Sequence, residues 1–344
     1  MKRTFLLSAA GVALSALLAQ PVVADELADM YAGRTVTIIY GYGTGGTYGK
    51  TSLVLSRHIG KFIPGNPSVI TQSMPGAGGL KMANYAYNAM PKGGFNILMP
   101  PDMSMVSQLL RPNKVKYDAR NFTWLGRVFG SNNLLAVRRD AGILSIEDAK
   151  NKQGLMASTG KGSPTFIVTA LVNGLAGTKF KIVEGYKGSH RAKLSVEQGE
   201  TQGISLAWAS WRSDRADWFK GGQNSYIVPL VQSGFTRDPE WPDVPLIQDL
   251  VDSADEKAAA DLIATSSLFG RGLALPPGVP SKLVGPLREA FWKTVQSPEF
   301  LAEVKRTKLD YSPLEGADIQ KTVNKVLGMS PNAVAMARKA IFGK

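Results

Sequence analysis

Short apolar stretches alternate with segments of helical spacing in the first part of the chain. Apolar runs at 35–40, 68–73 and 95–99 predict buried strands. The intervening segments 48–62 and 79–90 repeat apolar residues every three or four positions, as amphipathic helices do. Strands that alternate with helices predict a parallel α/β sheet.

The alternation restarts after residue 141 and then gives way to helices. A second α/β unit is predicted, with helices at 145–150 and 165–175 and strands at 154–158, 179–184 and 226–232. The proline-rich segment 275–280 is followed by four amphipathic helices, at 282–295, 298–307, 317–327 and 331–341. A chain of this length suits two domains of about 100 to 200 residues each.

Four glycine-rich turns follow predicted strands, and we number them in chain order. Turn 1 is 41–46, turn 2 is 75–79, turn 3 is 159–163 and turn 4 is 185–188. No Asp or Glu occurs between Met30 and Pro101, the window that contains turns 1 and 2. Exposed N–H groups at a helix N-terminus attract negative charge, and glycine allows a ligand to approach them closely. The turns therefore predict an anionic ligand.

Turn 1 resembles two nucleotide-binding motifs but completes neither. Gly41, Gly43 and Gly46 match the dinucleotide fingerprint, yet the next acidic residue is Asp102 instead of one about 20 positions on. A P-loop would need glycine where Thr44 stands. We therefore expect no nucleotide and no other cofactor, and a carboxylate uses such a turn as readily as a phosphate.

Few residues are available for catalysis or for metal binding. The chain has no Cys and two His, and no Gly-x-Ser-x-Gly motif occurs. We expect no catalytic residues and no metal site. The alternative to a binding protein is an enzyme, an exported hydrolase that uses Ser163 or Ser210 with His190.

The N-terminus has the pattern of a signal peptide. Basic residues are followed by an apolar run over 5–18 and by small residues before Asp25. This predicts a signal peptide over 1–24 and a soluble periplasmic protein, and the absence of Cys excludes a lipid anchor. The formal net charge is +13, but no run of Lys or Arg is longer than two residues. This pattern disfavours nucleic acid as a partner and favours a small organic anion or a negatively charged partner surface.

Together these turns resemble the substrate-binding proteins of tripartite tricarboxylate transporters, the Bug or TctC type. The resemblance spans about 34–327 and rests on seven segments in order: YGYGTGG at 40–46, IPGNP at 63–67, MPGAGG at 74–79, ASTG at 157–160, GYKG at 185–188, PDVP at 242–245 and LPPGVP at 275–280. It implies the α/β fold of type II periplasmic binding proteins, with a ligand cleft between two domains. We accordingly predict domain 1 at 25–128 and 234–344 and domain 2 at 129–233.

The resemblance also implies where a ligand carboxylate is held. Main-chain N–H groups and hydroxyls of turns 1 and 2 would bind it, and turns 3 and 4 would close over it by hinge motion. Trp208 is added because it follows a predicted strand at 203–206, where a turn at the cleft would fall. The predicted binding residues are Tyr42, Gly43, Thr44, Gly46, Thr47, Gly76, Ala77, Gly78, Gly79, Ser158, Thr159, Gly160, Lys161, Ser163, Tyr186, Lys187 and Trp208.

Two departures from the family pattern bear on the ligand. Gly49 and Gln202 stand where the family often has Asp, which disfavours a ligand amine and favours a purely anionic ligand with two carboxylates. An aromatic dicarboxylate such as terephthalate and an aliphatic di- or tricarboxylate both fit. The expected function is delivery of this acid, by a monomer, to the membrane subunits of a transporter, and a co-sensor for a receptor kinase is the further alternative.

Overall fold

A computed structural model of the protein describes residues 20–343. Residues 1–19 of the predicted signal peptide lie outside the described part, and a helix begins at Gln20. None of the helices within 20–343 has the length and apolar character needed to cross a membrane.

Eleven strands and fourteen helices are described. The strands are β1 Thr35–Tyr40, β2 Ser68–Ser73, β3 Asn96–Met99, β4 Thr123–Phe129, β5 Asn133–Arg138, β6 Leu155–Ser158, β7 Lys181–Glu184, β8 Gly203–Ala207, β9 Ile227–Ser233, β10 Arg271–Leu275 and β11 Leu314–Glu315. The helices are α1 Gln20–Tyr31, α2 Thr47–Ile59, α3 Leu80–Asn88, α4 Ser104–Leu110, α5 Ile146–Asn151, α6 Pro164–Ala176, α7 Ser189–Glu197, α8 Trp208–Arg215, α9 Ala254–Ala264, α10 Ser266–Phe269, α11 Val284–Gln296, α12 Pro298–Arg306, α13 Gly316–Leu327 and α14 Pro331–Phe342.

The strands form two sheets, which define two lobes. The first sheet has the order β11-β4-β10-β3-β1-β2 and the second has the order β7-β6-β8-β5-β9. The first lobe therefore takes its strands from both ends of the chain, and the second lobe takes its strands from the middle. The α/β fold predicted from the sequence is confirmed.

The three strands that were predicted to alternate with helices are parallel, as expected, but the first sheet as a whole is mixed. β1 pairs in parallel with β2 and β3, but β10 lies antiparallel between β3 and β4. The reason is topological, because β10 enters the first sheet only after the chain has returned from the second lobe. The second sheet is also mixed, since β5 is antiparallel to both β8 and β9.

Side chains alternate across the first sheet and build a core on each face. Val36, Ile38 and Tyr40 of β1 belong to one buried cluster, while Ile39 belongs to another. The cluster that contains Ile39 continues into the second lobe and includes Ile167 of α6. One continuous core therefore supports both lobes.

The register of the parallel strands brings the glycine-rich turns together. Tyr40 at the end of β1 pairs with Ser73 of β2 and with Met99 of β3. The segments that follow these three strands therefore leave the same edge of the sheet. In the second sheet Ser158 pairs with Glu184, so turns 3 and 4 also start side by side. Ligands of open α/β sheets bind at such edges.

Candidate ligand-binding site

The turns of the two lobes contact each other directly. The backbone N–H of Gly43 in turn 1 donates to the carbonyl of Lys187 in turn 4, at 2.7 Å. The backbone N–H of Gly78 in turn 2 donates to the carbonyl of Thr159 in turn 3, at 3.1 Å. The lobes are therefore closed on each other, and these two amides hold protein carbonyls.

Gly78 is the tightest point of this contact. Its φ is +69°, and a Cβ built on it would lie 2.6 Å from the backbone nitrogen of Ser163 in the opposite lobe. Any side chain at this position would both strain the backbone and push the lobes apart. Closure of turn 2 on turn 3 thus requires glycine at 78.

A cavity with about 400 Å³ of space between atoms, part of it open to solvent, lies between the lobes. First residues or N-caps of four helices border it: Gly46 and Thr47 of α2, Ser163 and Pro164 of α6, Ser189 of α7 and Ala207 of α8. Among the described residues, none of the four N-cap residues makes a side-chain capping hydrogen bond. The first two N–H groups of α8 donate instead to Asn132 O at 2.8 Å and to Ser131 Oγ at 3.1 Å. The positive ends of helices from both lobes therefore border one cavity, which favours an anion.

A buried ion pair supplies the formal charges of the cavity. Arg271 begins β10 and Asp102 follows β3, and each side chain belongs to a residue that is 4% exposed. Arg271 Nη1 donates to Asp102 Oδ2 at 3.0 Å, and Nη2 donates to Thr47 Oγ1 at 3.2 Å. The guanidinium carbon lies 3.8 Å from the centre of the Tyr48 ring, in cation–π contact. The guanidinium is thus fixed in place against the first turn of α2.

Burial and charge act in opposite directions on this pair. Burial raises the pKa of the Asp102 carboxyl and outweighs the opposing effect of Arg271. Burial alone would lower the pKa of Arg271, but Tyr48 and Asp102 raise it above its ordinary value. Arg271 therefore stays positively charged inside the cavity at any physiological pH.

Several side chains that line the cavity have a buried polar atom without a hydrogen-bond partner among the described residues. Within the described residues, four buried atoms of the lining have no hydrogen-bond partner: Asp102 Oδ1, Asn133 Oδ1, Arg271 Nε and Ser210 Oγ. Such atoms are uncommon in folded proteins, and each one needs an explanation.

The structure divides the predicted binding residues among different places. Five of them line the cavity with Arg271: Tyr42, Gly46, Thr47, Thr159 and Ser163. A neighbouring cavity has about 520 Å³ of space between atoms, part of it open to solvent. It is lined by Gly76, Ala77, Gly78, Gly79, Tyr186 and Lys187, and again by Tyr42 and Thr159. Tyr42 separates the two spaces, because its hydroxyl donates to Gly78 O at 2.9 Å and its ring stacks on Tyr48.

The remaining predicted residues line neither space. They are Gly43, Thr44, Ser158, Gly160, Lys161 and Trp208. Ser158 Oγ accepts from the backbone N–H of Gly160, and Lys161 Nζ lies 3.8 Å from Glu184. Trp208 donates its indole N–H to Glu240 at 3.0 Å and packs on Trp241. Trp208 therefore belongs to an aromatic cluster of the second lobe.

The two departures from the family pattern have structural explanations. A Cβ on Gly49 would lie 2.0 Å from the carbonyl oxygen of Thr44, so turn 1 in this conformation admits no side chain there. Gln202 accepts from the backbone N–H of Leu155 at 2.7 Å and does not line either cavity. The absence of a carboxylate at 202 therefore carries no information about the ligand charge in these spaces.

The geometry offers no support for a serine hydrolase. Ser163 Oγ donates to the carbonyl of Gly160, and the His190 ring lies against Gly45. Over residues 20–343, neither Ser163 nor Ser210 has a hydrogen bond to His190. In the same part of the chain, no three His, Asp or Glu residues are grouped as metal ligands.

Sequence reasoning missed Arg271, Asp102 and Asn133. A signal for Arg271 exists, because it is a single charged residue at the head of the apolar segment 271–275. Asp102 is the first acidic residue after the acid-free window, and it enters the sequence analysis only as evidence against a dinucleotide site. Asn133 is a polar residue that starts an apolar strand.

Comparisons with known proteins agree with this fold. No family model matches the chain. The "UPF0065 protein in gbd 5'region" of Cupriavidus necator is 25% identical over 325 residues, which cover 91% of this chain and 90% of that protein.

Three solved structures are similar over most of the chain. The periplasmic binding protein BugD has a TM-score of 0.70 at 17% identity, with 90% of this chain and 98% of that chain covered. MatC from Rhodopseudomonas palustris, solved with bound malate, has a TM-score of 0.66 at 18% identity, with 88% and 99% covered. A TctC solute-binding protein from Polaromonas has a TM-score of 0.58 at 20% identity, with 91% and 100% covered. The resemblance to Bug and TctC-type substrate-binding proteins is therefore confirmed, and the chain has their two-domain α/β fold.

Proposed function

We propose that this protein is a periplasmic binding protein that captures a small carboxylate by closure of its two lobes. The cavity that combines Arg271 with four helix N-termini carries this proposal. A carboxylate in this position meets partial positive charge from both lobes at once, so its binding stabilises the closed form over the open one.

A dicarboxylate is the proposed ligand class. Aromatic acids such as terephthalate and aliphatic di- or tricarboxylates are the two alternatives carried forward from the sequence. The malate bound by MatC, a dicarboxylate on a similar fold, supports this class. The loaded monomer would deliver the acid to the membrane subunits of a tripartite tricarboxylate-type transporter, and no chemistry on the ligand is proposed.

The proposed domains follow the division of strands between the sheets. Residues 25–128 and 234–344 form domain 1, and residues 129–233 form domain 2. The segment between β4 and β5 and the segment that follows β9 then act as the hinge, because the chain crosses between the sheets there.

A thermal-shift screen of mono-, di- and tricarboxylates on the purified protein tests the proposal. A ligand at about 100 times its Kd adds about 2.7 kcal/mol to the stability of the folded state. For a chain of about 320 residues this corresponds to a rise of about 4 °C in the melting temperature. If no organic acid raises the melting temperature at millimolar concentration, the proposal is wrong.

A second measurement separates binding from closure. Small-angle X-ray scattering with and without the acid that gives the largest thermal shift compares the radius of gyration of the two states. Closure by the ligand predicts a smaller radius in its presence. An unchanged radius of gyration together with tight binding would contradict ligand-driven closure of the lobes but not ligand binding itself.

A further inference from the structure

The buried cavity atoms without hydrogen-bond partners indicate which donors and acceptors a ligand needs. Asp102, Asn133, Arg271 and Ser210 are each at most 4% exposed, and each has one buried polar atom without a partner among the described residues. Leaving such a group unpaired is costly, and the large majority of buried side-chain polar atoms in proteins have a hydrogen-bond partner. Four of them around one cavity indicate hydrogen bonds that are completed by a ligand.

Two of these atoms are donors and two can only accept. Arg271 Nε carries a proton and suits a carboxylate oxygen, as the hydroxyl of Ser210 also does. Asp102 Oδ2 accepts from Arg271 at 3.0 Å, whereas Oδ1 has no hydrogen-bond partner among the described residues and remains an acceptor. A ligand that consists of carboxylates alone satisfies the donors and leaves the acceptors unpaired.

The orientation of the Asn133 amide is fixed by its neighbours. Ser266 Oγ donates its proton to the carbonyl of Ile263 at 2.9 Å, so it can only accept from Asn133. Asn133 Nδ2 donates to it at 3.2 Å. The unpartnered atom of Asn133 is therefore its oxygen, a second acceptor beside the charged one of Asp102.

We propose that the cavity selects a carboxylate that also carries a hydrogen-bond donor, a hydroxyl or an ammonium group, and that Asp102 and Asn133 recognise this donor. The inference rests on the proposed carboxylate-binding function and narrows it. Donor-free acids such as succinate and terephthalate bind less well, because their binding buries two acceptors without partners. Gly49 and Gln202, from which a purely anionic ligand was predicted, both lie outside the cavity lining.

Succinate, L-malate and L-aspartate share one carbon skeleton and differ in the donor. Isothermal titration of the purified full-length mature protein with each acid measures the contribution of the donor directly. We expect malate or aspartate to bind at least about tenfold more tightly than succinate, the effect of one hydrogen bond to a charged group. Tighter binding of malate would identify the preferred donor as a hydroxyl, and tighter binding of aspartate would identify it as an ammonium group.

Two variants assign the preference to residues. Asn133→Ala removes one acceptor without changing charge, and Asp102→Asn removes the charged acceptor but leaves Arg271 unpaired. Because Asp102→Asn can fail to fold, Asn133→Ala is the decisive variant, and its ratio of succinate to malate or aspartate Kd should fall at least about threefold. Ser205→Ala is the matched control, since Ser205 Oγ is also buried and has no hydrogen-bond partner within residues 20–343, but does not line the cavity.

Three results would overturn the inference. Equal affinity for all three acids would refute selection for a donor, and so would binding of donor-free acids alone. A preference that persists unchanged in Asn133→Ala and in any folded Asp102→Asn would refute the residue assignment. These results leave carboxylate binding intact, whereas the absence of a thermal shift with every acid overturns the proposed function and this inference with it.

Discussion

The contact between turn 2 and turn 3 allows lobe closure to be tested at one residue. A Cβ on Gly78 would lie 2.6 Å from the backbone nitrogen of Ser163. In Gly78→Ala the two turns have to separate by about 0.8 Å to restore ordinary van der Waals distance. The obstacle is backbone on both sides, so rotation of a side chain cannot relieve it.

The cost of this separation falls mainly on the closed form. The hydrogen bond from Gly78 N–H to Thr159 O, 3.1 Å long, is lost at about 1 kcal/mol. Overpacking against rigid backbone adds at least about 1 kcal/mol. The open form keeps only the backbone strain of alanine at positive φ. A closed form weakened by about 2 kcal/mol predicts a Kd about 30-fold higher for a ligand that binds with closure.

Gly177→Ala is the matched control for backbone strain. Gly177 has a φ of +71°, close to the +69° of Gly78, and a Cβ there would meet no atom of the described part of the chain within 4 Å. Calorimetric titration of both variants uses the acid with the largest thermal shift in the native protein. We expect the Kd to rise in Gly78→Ala and to stay at the native value in Gly177→Ala. Equal Kd values in the two variants would refute the role of this contact in closure.

Three further outcomes follow from buried groups outside this contact. Arg271→Met leaves Asp102 as an unpaired buried charge, so urea titrations should show a free energy of unfolding about 3–5 kcal/mol lower than native. A loss below about 1 kcal/mol would show that the pair is not buried as described. Burial raises the pKa of Glu303, but hydrogen bonds from His58 and a neighbouring Arg outweigh it and hold the pKa below the usual 4.5. The stabilisation from this pairing is present above pH 4.5 and lost as the pH falls below it. Acid should therefore lower the free energy of unfolding more in the native protein than in Glu303→Gln. Parallel plots of the free energy of unfolding against pH for the two proteins would contradict the pairing. Trp208→Phe should leave the ligand Kd within about twofold of native, because its ring lies outside the cavity, and a larger rise would place the ring at the ligand.

Local patterns predicted the elements that hold the turns. The strands at 35–40 and 68–73 were predicted with the bounds that the structure has, because each is an apolar run next to a glycine-rich turn. β10 was missed, since Arg271 and Gly272 interrupt the apolar pattern of a short strand. Its antiparallel place in the first sheet depends on the path of the whole chain, which no local pattern contains.

The candidate site shows the same division between local and long-range information. Tyr42, Thr47 and Ser163 could be predicted as neighbours of a cleft because each lies in or beside a glycine-rich turn. The pairing of Asp102 with Arg271 joins residues 169 positions apart, and nothing near either residue in the sequence indicates the other. The use of the Gly43 and Gly78 amides for lobe contact is equally a property of the closed arrangement.

Closure and ligand binding thus use different donors. The amides of Gly43 and Gly78 are engaged with carbonyls of the other lobe, so in the closed form they are unavailable to a ligand. Asp102 neutralises Arg271, and an entering carboxylate therefore meets oriented dipoles of helix ends and the remaining guanidinium N–H, instead of a net positive charge. Such short-range, buried contacts are screened little by salt, unlike the long-range field of a chain whose full sequence has a formal net charge of +13. Selectivity in the cavity therefore depends on the geometry of donors and acceptors, whereas the basic surface acts on the encounter with anions.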